Sequence, residues 1–232
     1  MNIDQALVDA VLEDWESAPV SPRQRAALRL LETMTAHPQD IDAAFVTSLK
    51  DAGLSTEDIE EAASTGFQFN LINRLADAFD FDIPSEEGQR KQAVMLQVMG
   101  RLGGAPPSPS WSAGEDGLLR PVELTLAREH LLSTDGELEP ALRQAIEAHA
   151  ARAWGGQRSE AVGGIPEAIT EYVNRLALYA YRLTDELFDG LKTSGYSEAQ
   201  IFEITLAGAL GASFVAIERL FEALHGETCR AA

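Results

Sequence analysis

Leu49-Lys50-Asp51-Ala52-Gly53-Leu54-Ser55-Thr56-Glu57-Asp58-Ile59-Glu60-Glu61 is matched 142 positions later by Leu191-Lys192-Thr193-Ser194-Gly195-Tyr196-Ser197-Glu198-Ala199-Gln200-Ile201-Phe202-Glu203. Leu, Lys, Gly, Ser, Ile and the final Glu are identical in the two stretches. The shared residues have physical tasks: glycine takes the left-handed backbone that ends a helix, serine caps the next helix, and isoleucine opens its buried face. The match predicts one helical unit used twice, in residues 1–102 and 118–232, the two packed as a pseudo-dimer. The alternative is that helix, left-handed turn and capped helix is a common arrangement met twice by coincidence.

Outward from these stretches, apolar residues recur at helical spacing, and Val, Ile and Thr never gather into alternating runs. The fold class is therefore all-α. Ala6, Leu7, Ala10 and Val11 stripe a first helix that ends near Trp15. Ser21-Pro22-Arg23-Gln24 reads as a capping box with proline at the first helical position, opening a helix that stops before Pro38. Short helices are expected over Asp40–Asp51 and Thr184–Lys192, and long ones from Ser55 to about Pro84 and from Ser197 to Leu224. Further helices are expected over Glu86–Leu102, Pro121–Leu132, Leu138–Trp154 and Glu167–Leu183. Residues 103–117, which open Gly103-Gly104-Ala105-Pro106-Pro107, are too rich in Pro, Gly and Ser to be anything but a linker.

The chain of 232 residues carries 18 Lys plus Arg against 37 Asp plus Glu, a formal charge of −19. Both halves are acidic, so no basic cluster could neutralise phosphates, and nucleic acid and anionic membrane are excluded as partners. There is no run of 18 apolar residues, and Asp4, Asp9 and Glu13 break up the start, so neither a membrane span nor a cleavable signal is expected. The expected compartment is the cytoplasm. The single cysteine, Cys229, lies three residues from the end and rules out an internal disulfide, a Cys-x-x-Cys pair and a cysteine zinc site. No His-x-x-x-His, calcium loop or phosphate loop occurs, so neither metal nor cofactor is expected.

Polar residues with possible work stand out in two places. Asn70, Asn73, Arg74 and Asp77 form a stripe on an otherwise apolar helix containing Phe67, Phe69, Leu71, Ile72 and Leu75. Buried, the stripe would need partners from a ligand pocket or a subunit interface, because an unpaired buried polar group costs about 1–3 kcal/mol. Facing solvent, it would hold only a weak Arg74–Asp77 pair. In the second unit, Glu147 and His149 are the candidate acid–base residues. Two apart on a helix, they point to different faces, so His149 would have to meet a partner such as Glu171, Tyr172 or Tyr179 across a helix packing. His37, His130 and His225 sit near helix ends, and the small residues Gly208, Gly211 and Ala212 would let another helix approach closely.

Asp14-Trp15-Glu16-Ser17-Ala18-Pro19-Val20-Ser21-Pro22-Arg23, the Leu49–Ser55 stretch and above all Phe69-Asn70-Leu71-Ile72-Asn73-Arg74-Leu75-Ala76-Asp77-Ala78-Phe79 carry a family resemblance. They resemble the C-terminal half of peroxidase-related proteins in the alkylhydroperoxidase D and carboxymuconolactone decarboxylase superfamily. Ala180–Glu186 through Gly195–Glu198 to Ala209–Ala212 is similar to a more divergent branch. Together these segments span most of residues 6–84 and 138–225. The resemblance implies an all-helical homo-oligomer whose redox-active members reduce hydroperoxides with a Cys-x-x-Cys, a nearby His and an upstream Glu.

This chain departs from that pattern. The dyad would precede Asp14-Trp15, where no such pair occurs, and Leu142-Arg143-Gln144-Ala145-Ile146-Glu147-Ala148-His149 in the second unit has no cysteine nearby. Thiol peroxidase turnover needs an activated cysteine and a resolving one. Two functions therefore stand: a cysteine-free relative that oligomerises or binds a small apolar ligand, or an enzyme with the acid–base chemistry of carboxymuconolactone decarboxylases. A peroxidase relative that has lost its activity is a third possibility.

Overall fold

Side-chain caps set the helix starts of the first unit. Asp4, Ser21, Asp42 and Ser55 each accept a hydrogen bond from a backbone N–H two or three residues on, which opens α1 (Gln5–Asp14), α2 (Pro22–Ala36), α3 (Ala43–Asp51) and α4 (Thr56–Ala78). The structure is a computed structural model that describes residues 4–81, 85, 128–157 and 164–226. A helical stretch at 128–133 leads into α5 (Pro140–Ala153), α6 (Glu167–Tyr179), α7 (Asp185–Thr193) and α8 (Glu198–His225). Among the described residues there is no strand, and the fold is all-α.

Boundaries differ from expectation in three places, one of them the helix expected over Glu167–Leu183, which ends at Tyr179 and gives way to a separate 3-10 turn, Ala180–Arg182. The helix expected from Asp40 starts at Ala43, because Pro38–Asp40 forms its own 3-10 turn and the Asp42 carboxylate caps Phe45 N–H at 2.7 Å. α4 ends at Ala78 instead of near Pro84, and Asp80 turns the chain with a φ of 47°. The helix expected over Glu86–Leu102, the linker, most of Pro121–Leu132 and Cys229 lie outside the described residues.

The two units repeat each other in backbone detail. α2 and α6 end at His37 and Tyr179 with dihedrals of −139°, 52° and −150°, 56°, and each is followed by a 3-10 turn, a nine-residue helix and a capped long helix. Gly53 and Gly195 take φ values of 97° and 96°. Leu54 and Tyr196 donate back to Leu49 and Leu191, both at 3.2 Å, closing the six-to-one ring of a Schellman turn. Ser55 and Ser197 complete capping boxes with Asp58 and Gln200. Tertiary contacts follow the same offset: a Cβ on Gly66 would meet Leu31 at 3.1 Å and Met34 at 3.2 Å, and one on Gly208 would meet Leu176 at 2.9 Å and Val173 at 3.7 Å. Leu31 and Met34 lie 142 positions before Val173 and Leu176, so glycine admits a neighbouring helix at the same point of both units.

α8 joins two apolar cores. Its N-terminal half packs with α5, α6 and the end of α4, and its C-terminal half packs with α2, α3 and the start of α4, where Phe67 and Phe214 meet at 4.9 Å between ring centroids. Every residue from 207 to 217 is buried, as expected of a helix apolar all round. Among the described residues α8 is also the one helix that by length and composition could cross a membrane, and 78% of that window is buried inside the protein. An unbroken run of apolar residues does not find it, because Thr205, Ser213 and Glu218 interrupt the run.

Among the described glycines the closest approach is at the crossing of α5 on α8, where a Cβ built on Gly211 would collide with the Glu147 carbonyl. Gly211→Ala should therefore lower the urea unfolding midpoint by the equivalent of about 1–3 kcal/mol, the usual cost of overpacking. Gly190→Ala on α7 has nothing within 4 Å of its new methyl and should be neutral or stabilising by about 0.5–1 kcal/mol, since alanine is the better helix former. Equal effects of the two substitutions would contradict the close crossing.

Candidate functional site

The polar stripe on α4 divides when the helix packs. Asn70 is 5% exposed and donates from Nδ2 to the Met34 carbonyl at 3.4 Å. Arg74 is half-buried: it donates to the carbonyls of Asn70 at 2.9 Å and Ala177 at 3.3 Å, and its guanidinium lies over the Trp154 ring at 5.1 Å. Asn73 and Asp77 face outward. Arg74 thus meets carbonyls and an indole and not, as the spacing suggested, its neighbour Asp77. Burial pulls its pKa down to about 10, and the Asp77 charge holds it up against that pull. The guanidinium stays charged at neutral pH, and it ties α4 of the first unit to the ends of α5 and α6 in the second.

Glu147 lies under the α5–α8 crossing with only 1% of its surface exposed. A buried carboxylate needs a counter-charge, and Arg128 supplies it: Nε and Nη2 face the two carboxylate oxygens, each at 3.0 Å. Arg128 Nη1 also reaches Glu218 at 3.3 Å, and its guanidinium stands 5.9 Å from the Phe214 ring centre. Nearby, the buried Arg143 donates to the carbonyls of Leu131 and Thr134. These charges brace the stretch before α5 against the helices beneath it.

His149 leaves α5 on another face and meets α6. Its Nε2 lies 2.8 Å from Oδ1 of Asn174, a partner that was not among those expected from sequence. A carbonyl oxygen only accepts, so the hydrogen is on Nε2. Glu171 of α6, one of the partners expected for His149, is paired with Arg175 at 2.7 Å. Asn174 lines a shallow open groove along α6 with Thr170, Glu171, Arg175, Leu178 and Tyr179. At its end Arg182 lies against the rings of both Tyr179 and Tyr181, at 5.1 and 5.3 Å. Glu147 and His149 are not brought together.

Deeper in the same unit, Tyr172 is bonded to Thr205 at 2.6 Å. Thr205 donates its own hydrogen to the Ile201 carbonyl at 2.7 Å, so the phenol is the donor to Thr205. Burial pushes the Tyr172 pKa up to about 12. His225, expected only to favour a helix end, bonds Glu60 at 2.8 Å and so ties the end of α8 to α4. Among the described residues no group of three or more His, Cys, Asp or Glu side chains is placed to hold a metal ion. No family model, no curated protein and no solved structure matches the chain.

Two mutational comparisons check this geometry. Arg128→Ala should cost about 3–5 kcal/mol in unfolding free energy by removing the cation that faces the buried Glu147 carboxylate, and much of that should return in the Glu147→Leu, Arg128→Leu double variant. Arg74→Ala should cost more than about 1 kcal/mol by removing charged donors from two carbonyls, whereas Asp77→Ala should stay within about 1 kcal/mol. Additive losses for Glu147 and Arg128, or an Asp77 effect equal to that of Arg74, would contradict the pairings described.

Proposed function

We propose that the protein is a binding and assembly protein of the alkylhydroperoxidase D and carboxymuconolactone decarboxylase kind that works without thiol chemistry. In this reading it is a cytoplasmic homo-oligomer, its two units form a pseudo-dimer, and it accepts a small apolar ligand. The observation that carries it is the fate of Glu147: this buried carboxylate, two residues from the candidate histidine, is closed in a two-point ion pair with Arg128 and is not brought to His149. A general acid or base must reach its substrate, and this one serves the helix crossing. The residues of the family resemblance on α4 also support the reading, because Asn70 and Arg74 are spent on carbonyls that hold helices together. The groove on α6 has Leu178 and Tyr179 in its lining and is open enough to take a small molecule with an apolar face.

A second reading, acid–base catalysis in the manner of carboxymuconolactone decarboxylases, is favoured by one observation: the half-buried His149 ring reaches the rim of that groove through Asn174. It would make His149 the base and leave Glu147 a positioning role.

The two readings part in a simple set of assays. Titration with the apolar dye 1-anilinonaphthalene-8-sulfonate should give a saturable signal that Leu178→Asp removes, and no dye binding would overturn the ligand reading. Hydroperoxide reduction with a dithiol donor should be absent and unchanged in Cys229→Ser, whereas turnover lost in that variant would overturn the non-thiol proposal. Decarboxylation of a lactone carboxylate that disappears in His149→Gln would establish the second reading in place of the first.

A further inference from the structure

An open groove runs between α2 and α4 in the first unit, with Ala27, Leu31 and Ala62 half-buried along it and Thr65 exposed at one end. The same four positions in the second unit, 142 residues on, are Ile169, Val173, Ile204 and Ala207, none more than 2% exposed. What covers them is on the page. Glu203, the counterpart of the groove residue Glu61, accepts hydrogen bonds from the N–H groups of Glu137 and Leu138 at 2.8 and 2.9 Å. Just beyond, Ile146 of α5 comes within 3.9 Å of the methyl position on Gly208. In the second unit, then, an amphipathic helix and the turn before it fill this groove.

The first unit has such a helix and does not use it there. α1 and α5 each end on a tryptophan, Trp15 and Trp154. With these aligned, Ala6, Leu7 and Val11 fall on Ala145, Ile146 and Ala150, which are 4%, 0% and 0% exposed. Yet α1 buries no residue and contributes nothing to either core. The connection explains why. Seven residues, 15–21, join α1 to α2, against thirteen, 154–166, between α5 and α6. The short connection is also pinned: Ala18 is buried, its N–H donates to Asp14, and its carbonyl accepts from Arg25 at 2.7 Å. Short, fixed hinges favour exchange of an element between copies of a chain over folding it back.

We propose that α1 of a second copy of this chain occupies the α2–α4 groove, giving an exchanged dimer in which each first unit is completed by its partner's helix. This deepens the assembly part of the function above and is independent of the ligand part.

Sedimentation velocity on the full chain tests it. The wild-type chain should sediment as a dimer. Leu7→Asp with Val11→Asp, which spoils the helix, and Ala62→Arg, which fills the groove, should each weaken the dimer by about tenfold or more, with the helical circular dichroism of the remaining fold retained. Thr65→Arg, at an exposed groove position, serves in place of Ala62→Arg should the latter unfold. Mixed, the helix variant and the groove variant should form heterodimers, because one intact helix then meets one intact groove. A monomeric wild-type chain, a dimer unaffected by both variants, or monomers that do not associate on mixing would overturn the proposal. A monomer that still binds the dye would sink the exchange and leave the ligand reading standing; a dimer that binds no dye would do the reverse.

Discussion

The architecture depends on one steric constraint: α5 must lie directly on α8 at Gly211, where no side chain fits between the helices. Close backbone approach brings Glu147 under the crossing, out of reach of water, and a carboxylate there is tolerable only with a cation aimed at it. Arg128 fulfils that need and in doing so fixes where the chain must enter before α5. The same crossing seals the middle of α8, which is buried on all sides from 207 to 217 and so can serve as the wall between two cores. A surface helix in that place would leave the two units side by side with no shared interior.

Local structure was legible in the sequence because its determinants are local. A serine three residues ahead of Asp58 or Gln200, and a glycine two residues ahead of that serine, specify cap and turn wherever they occur, and the backbone at Gly53 and Gly195 obeys that chemistry within one degree. The small-residue stretch on α8 was legible for the same kind of reason, since only a missing Cβ admits a neighbouring backbone. Side-chain partners were not legible. Arg74 ends on the carbonyl of Ala177 and the ring of Trp154, and nothing in the spacing of α4 points to either. His149 likewise finds Asn174, whose place on α6 is one of several equally polar positions. The stripe expected to behave as a unit splits because a helix face narrows to a line of contact when it packs: Asn70 and Arg74 fall on that line, Asn73 and Asp77 beside it.

The two units separate what the architecture requires from what it permits. Leu30 and Ala63 of the first unit stand where the second has Tyr172 and Thr205, and all four are buried. An apolar pair and a hydrogen-bonded pair therefore satisfy the same cavity, as long as the two hydroxyls find each other and the Ile201 carbonyl. The helical frame does not demand the polar version. Asn174, which holds His149, stands where the first unit has the exposed Glu32, and Glu203, which gathers the turn before α5, stands where Glu61 faces an open groove.

Two of these differences bear on α5, at His149 and at the turn before the helix. Positions that match between the units are the capping serines, the turn glycines, the isoleucines that begin the long helices and the glycines that admit α2 and α6. A helix that docks in one unit and stands free in the other cannot be dictated by the shared frame, because the frame is the same in both. It must come from the docking helix and its tether, whose length and charge differ between α1 and α5 while the groove floor stays apolar in each. The individuality of this protein therefore lies in the first helix of each unit and in what that helix covers, more than in the three-helix frame that carries it.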